Sequence, residues 1–69
     1  MDEIIIGAGC KIECGESFGR TIIDLIYPGD TVTLSFEGTD EEIRDCAMRL
    51  TLAAAEVYSD ASRRIAGRG

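Results

Sequence analysis

Residues 20–37 read RTIIDLIYPGDTVTLSFE, two apolar runs separated by Pro28-Gly29. This dipeptide favours a type II turn, because proline presets φ at the first central position and glycine accepts positive φ at the second. The return run alternates cleanly, with Val32, Leu34 and Phe36 on one side and polar residues on the other. The stretch therefore predicts an antiparallel hairpin.

The outgoing run of this hairpin is apolar on both faces. Ile22 and Ile26 would point to one side of the strand, and Ile23 and Leu25 to the other. A strand that is apolar on both faces is normally buried on both faces, by its own chain or by another.

A helix is predicted immediately after the hairpin, over residues 40–66. Thr39 followed by Glu42 fits a capping box, and Gly67 is a natural end. Apolar residues then recur at intervals of three and four, which places them on one helical face. They are Ile43, Cys46, Ala47, Leu50, Ala53, Ala54, Val57, Tyr58, Ala61 and Ile65.

Upstream of the hairpin, residues 2–6 and 10–14 are predicted to form strands. Gly7-Ala8-Gly9 between them would be a tight turn or a bulge, and residues 15–19 a loop. With strands at about 2–14 and 20–37, the sequence predicts one α+β domain over residues 1–69. Its three- to four-stranded, mainly antiparallel sheet would pack on one long C-terminal helix in two layers.

Two mismatches in this design predict assembly with another chain. The helix would be roughly 40 Å long, whereas an eight-residue strand reaches only about 27 Å. The apolar face of the second half of the helix would therefore have to be buried by another chain. The same holds for the strand that is apolar on both faces. We expect an oligomer or a subunit of a heteromeric complex.

The charge balance argues against nucleic acid as a direct partner. The net charge is −6, and residues 1–60 hold all 13 acidic residues but only four of the seven basic ones. A stand-alone nucleic-acid binder usually shows a basic face. Arg63, Arg64 and Arg68 are expected to be solvated at the helix C-terminus, with contact to an acidic surface as the alternative.

Membrane insertion is not expected either. No segment is long and apolar enough to cross a bilayer, and the N-terminus lacks a signal-peptide pattern. We expect a cytoplasmic location, where thiols stay reduced.

The opening Gly7-Ala8-Gly9 resembles the start of a dinucleotide-binding fingerprint, but the pattern fails at its third glycine. Ile12 occupies that position, and a strand-like run follows where a helix would have to begin. The chain has no histidine, and its clustered acidic residues at 40–45 suit a helix start. The sequence thus predicts no enzyme, no catalytic residue and no cofactor.

The three cysteines permit one further interpretation. Cys10 and Cys14 on one strand would have Cα atoms about 13 Å apart, too far for a disulfide. Cys46 could meet one of them across the core. We expect three small buried apolar residues and no metal; a thiol-based metal or redox domain, with a fourth ligand from a carboxylate or a partner, is the alternative.

Residues 20–58, RTIIDLIYPGDTVTLSFEGTDEEIRDCAMRLTLAAAEVY, resemble the back half of the small dimerisation subunit of the KEOPS complex. Members of that family have a hairpin with a glycine-containing turn and then a long Ala- and Leu-rich helix. KEOPS makes the threonylcarbamoyl modification of an adenosine in transfer RNAs that read ANN codons. The resemblance implies a non-catalytic subunit that pairs through its sheet and helix and docks on the catalytic subunit.

The N-terminus departs from that family, which has a strand and a helix before the hairpin. Residues 1–19 are too short and too rich in glycine for that helix, so a shortened accessory paralogue is one interpretation. A small homodimeric structural protein is the alternative from outside the family. In either case the partner is a protein, the same chain or a different one. The predicted interface residues are Ile23, Leu25, Leu50, Ala54, Val57, Tyr58 and Ile65.

Overall fold

Three strands and one helix make up the part of the chain that the computed structural model describes, residues 3–68. The elements are β1 (Lys11–Ser17), β2 (Arg20–Tyr27), β3 (Asp30–Ser35) and α1 (Asp40–Ala66). The chain divides between Glu37 and Gly38 into a sheet unit and a helix unit. The predicted α+β class, with a three-stranded antiparallel sheet and one long C-terminal helix, is confirmed.

Two two-residue turns connect the strands into an antiparallel meander of order β1-β2-β3. Gly29 has φ +87° in the β2–β3 turn, as the predicted type II turn requires. In the β1–β2 turn both Phe18 and Gly19 have positive φ, 52° and 76°. Positive φ at both central positions is the signature of a type I′ turn, whose twist matches that of the flanking strands.

The central strand β2 buries one residue on each of its faces. Leu25 lies between Ile12 of β1 and Val32 of β3 and is 4 % exposed. Ile22 lies three residues earlier, hence on the opposite face, and is 6 % exposed. This agrees with the apolar pattern on both sides of the outgoing run. Val32, Leu34 and Phe36 alternate in burial with their exposed neighbours, as predicted.

The N-terminal prediction is wrong in its details. Residues 3–6, the described part of the predicted 2–6 strand, form no strand, and no fourth strand exists within residues 3–68. The predicted turn at Gly7-Ala8-Gly9 is present, because the N–H of Cys10 donates to the carbonyl of Gly7 at 3.0 Å. Isoleucines favour β structure, but a strand also needs a paired neighbour. The ladders of β1 and β3 run only to β2.

Strand β1 begins and ends later than the predicted 10–14. Glu16 and Ser17 pair with Thr21 and Arg20, so the predicted loop at 15–19 shrinks to Phe18-Gly19. This extension of the ladder is sterically allowed because a type I′ turn needs only two residues.

Helix α1 spans 27 residues and matches the predicted 40–66. At its start the Glu42 N–H donates to the Thr39 hydroxyl at 3.2 Å, and the Thr39 N–H donates to the Glu42 carboxylate at 2.9 Å. This reciprocal pair is the predicted capping box. At the other end the Gly67 N–H donates to the carbonyl of Arg63 at 2.9 Å.

Candidate protein-binding surface

Six residues form a seam along α1, and we call them the helix seam. Their successive spacings of four, three, four, three and four residues repeat every seven positions, the period that lets one helix pack along another. Large and small side chains alternate along it. The members are Ile43, Ala47, Leu50, Ala54, Val57 and Ala61.

None of the 27 residues of α1, all of which the structure describes, is buried. On the seam, Leu50 is 42 % and Val57 68 % exposed, whereas Ile43, Ala47 and Ala61 are half-buried. Beside the seam, Tyr58 and Ile65 are 76 % and 65 % exposed. The structure thus leaves an apolar helical face open to a partner.

The two ends of α1 carry opposite charge. Asp40, Glu41 and Glu42 lie in the first turn, and Arg63 and Arg64 in the last. Hydrogen bonds from the backbone of Thr39 and then from its hydroxyl hold the pKa of the Glu42 carboxyl below its usual value. Charges so placed complement the helix dipole.

The two predicted interface residues on β2 differ from those on the helix. Leu25 is buried within the sheet unit and Ile23 is half-buried. Leu25 therefore offers a partner almost no surface, because its side chain already packs between β1 and β3. The five helical residues of the prediction, Leu50, Ala54, Val57, Tyr58 and Ile65, are all exposed.

Phe18 is an exposed apolar residue that the sequence analysis missed. It sits at the tip of the β1–β2 turn, fully exposed (102 %), with a φ of 52° that residues other than glycine, asparagine and aspartate seldom adopt. The signal for it was the Phe18-Gly19 pair between two strand-like runs. The predicted loop at residues 15–19 was too long to single out this two-residue turn.

The hydroxyl of Tyr27 is a second feature that the sequence did not indicate. Its oxygen is buried and has no hydrogen-bond partner among the described residues. Desolvation raises the pKa of Tyr27, and the nearby Cys10 thiol and Asp30 carboxylate raise it further. Tyr27 also lines a shallow depression with Ile4, Ile5 and Val32, so the N-terminal segment lies close to the end of the hairpin.

The cysteines do not behave as the predicted buried residues. Cys14 and Cys46 are exposed, Cys10 is half-buried, and all three thiols are free. Cys14 lies on β1, an edge strand, and Cys46 lies beside the open helix seam, so nothing described covers either side chain. Within residues 3–68 no three side chains of the metal-binding types are grouped closely enough to hold an ion.

Within the described chain, α1 does not combine the length and apolar composition that a membrane-spanning helix requires. Comparison of the sequence and the structure with known protein families, curated proteins and solved structures finds no match.

Proposed function

We propose that this chain is a non-catalytic subunit that acts by protein–protein interaction. The observation that carries the proposal is the exposed helix seam on a 27-residue helix without a buried residue. Helices in proteins owe most of their stability to packing of an apolar face rather than to intrinsic propensity. A long helix with an open apolar face is therefore suited to a partner.

The energetic incentive for association is substantial. Burial of apolar surface contributes about 25 cal/mol per Å², so covering a side chain such as Leu50 or Val57 contributes on the order of 1–2 kcal/mol. The seam offers three large aliphatic side chains and the flanking Tyr58.

For the biological process we propose a role in the complex that makes threonylcarbamoyladenosine in transfer RNA, as the resemblance of residues 20–58 implies. Two features support this proposal: the hairpin with its Pro28-Gly29 turn, and the long helix that begins directly after Thr39. Residues 3–10 form no helix, in keeping with a shortened accessory paralogue. The chain would then supply a docking surface, and another subunit the chemistry.

The proposal is tested by mixing the purified chain with the purified catalytic subunit of that complex and measuring binding by calorimetry. Leu50→Asp places a charge on the seam and should abolish binding, because an unpaired charge is costly in an apolar contact. Leu52→Asp is the matched control, since Leu52 lies on the far side of the helix and is 60 % exposed.

Far-UV circular dichroism should show the same helix content in both variants. Equal loss of binding in Leu50→Asp and Leu52→Asp would remove the seam from the interaction. No binding by the unmodified chain would contradict the proposed process.

A second candidate function is a homodimeric structural role. The alternation of large and small residues on the seam favours it, because such a surface is complementary to itself.

A further inference from the structure

We propose that Phe18, at the tip of the β1–β2 turn, inserts into an apolar pocket on the protein partner of this chain. The inference rests on the proposed function and adds to it a contact point outside the helix seam. Three observations carry it: the full exposure of the ring, the unfavourable backbone that presents it, and its isolation from other exposed apolar side chains.

The backbone conformation at Phe18 is unfavourable for a phenylalanine. Its φ is 52°, and that of the following Gly19 is 76°. Turns of this kind favour asparagine, aspartate or glycine at the first central position, because a Cβ makes positive φ costly. The ring is fully exposed, so no packing within the described fold offsets that cost. Backbone strain without a structural return is typical of binding sites.

The isolation of the ring indicates the shape of its binding site. Between residues 13 and 47, all of which the structure describes, Phe18 is the one large apolar side chain that is exposed. A single projecting ring is buried, with roughly 150–250 Å² of its surface, only where walls surround it. The complementary surface is therefore a concave apolar pocket rather than a flat patch. Interface residues that dominate binding energy have this form, an aromatic side chain in a desolvated pocket.

The turn presents the ring on a short and well-connected segment. Ser17 pairs with Arg20 in the β1–β2 ladder, so only Phe18 and Gly19 lie between the strands. The Arg20 guanidinium also forms an ion pair with the Glu37 carboxylate at 2.7 Å, which links the start of β2 to the residues after β3. A phenylalanine side chain on such a turn has two torsions to fix, so little conformational entropy is lost on binding.

The charges beside the turn define the rim of the pocket. Glu37 is neutralised by Arg20, whereas Glu16, two residues before Phe18, is exposed and forms no ion pair among residues 3–68. The turn therefore carries one uncompensated negative charge. A basic residue on the partner, at the rim of the pocket, would be complementary to Glu16 and would speed association.

Calorimetry with the purified catalytic subunit tests the role of the ring. Phe18→Asn removes the ring and suits the turn, so it should raise the dissociation constant by roughly tenfold or more without lowering the midpoint of urea unfolding. Phe18→Leu keeps an apolar side chain and should lose less affinity. Ser17→Ala is the matched control in the same turn and should bind like the unmodified chain. Glu16→Gln should weaken binding at low salt only.

Fluorine NMR observes the ring directly. Incorporation of 4-fluorophenylalanine labels Phe18 and Phe36, the two phenylalanines of the chain, and the spectrum of Phe18→Asn assigns their signals. Addition of the catalytic subunit should shift the Phe18 signal and protect it from a dissolved paramagnetic agent. Phe36 is half-buried in the sheet unit and should change less.

The outcomes separate this inference from the proposed function. If Phe18→Asn binds like the unmodified chain while Leu50→Asp does not bind, the role of Phe18 is overturned and the proposed function stands. A Phe18 signal that stays accessible in the complex overturns it equally, even if Phe18→Asn fails to fold. Unchanged binding by Glu16→Gln at low salt would remove the basic rim. An unmodified chain that does not bind the catalytic subunit overturns both proposals.

Discussion

Glu13 on β1 lies directly opposite Asp24 on β2, so two carboxylates face each other across one face of the sheet. Asp24 also accepts a hydrogen bond from the Thr33 hydroxyl of β3 at 2.7 Å. Like charges directly opposite in an antiparallel pair destabilise it. Repulsion between Glu13 and Asp24 therefore weakens a sheet of only three strands. Removing the Glu13 carboxylate should raise the free energy of unfolding by a measurable amount.

Replacing Glu13 by lysine should stabilise the chain by about 0.5 kcal/mol, because a repulsive cross-strand pair becomes an attractive one. For a domain of this size the melting temperature should rise by roughly 3 °C. Glu16→Lys makes the same charge change on the same strand but faces Thr21, so it controls for net charge. Equal gains in the two variants would assign the effect to net charge instead of to the Glu13–Asp24 pair.

Phe18 should be replaceable with a gain in stability. Its φ of 52° costs a residue with a Cβ on the order of 1 kcal/mol, and its fully exposed ring contributes no packing in return. Phe18→Gly should therefore raise the midpoint of urea unfolding. Phe18→Ala keeps the unfavourable φ and should leave the midpoint nearly unchanged. A loss of stability in both variants would mean that the ring packs against the fold.

The helix and the second hairpin could be predicted from the sequence because their signals are local. The capping box of Thr39 and Glu42, the seven-residue repeat and the Pro28-Gly29 turn each act within a few residues of the chain. The alternation of residues 10–14 predicted the first part of β1, but not its limits, because whether Ile4–Ile6 or Glu16–Ser17 joins the ladder depends on pairing with β2. The apolar face of the helix could be predicted from its periodicity, whereas the burial of Leu25 depends on its neighbours on two other strands.

The buried hydroxyl of Tyr27 should make the chain sensitive to alkaline pH. Because the pKa of Tyr27 is raised in the folded state, the folded chain holds the proton of the Tyr27 hydroxyl more tightly than the unfolded chain does. The resulting stability is present below the ordinary pKa of tyrosine and is lost as the pH rises through the raised value. Tyr27→Phe should melt at a higher temperature at neutral pH, since an unpartnered polar group is removed, and should lose less stability at high pH.

Tyr58→Phe serves as the control, because Tyr58 is 76 % exposed and its hydroxyl has access to water. It should melt like the unmodified chain at neutral pH. If Tyr27→Phe instead lowers the melting temperature there, the hydroxyl has a partner in solution and the prediction is wrong.

The capping box should make the helix sensitive to acid. The pKa of Glu42 is lowered in the folded state, so its contribution is present above the ordinary pKa of a glutamate and is lost as the pH falls through the lowered value. Thr39→Ala removes the hydroxyl that accepts from the Glu42 N–H and should cost about 1 kcal/mol at neutral pH. It should also reduce the loss of the far-UV circular dichroism signal of the helix between neutral and acidic pH.

Thr51→Ala is the matched control, because the Thr51 hydroxyl donates to the Ala47 carbonyl inside the helix, away from the cap. If both threonine variants lose the same stability, the cap is not what anchors the start of α1.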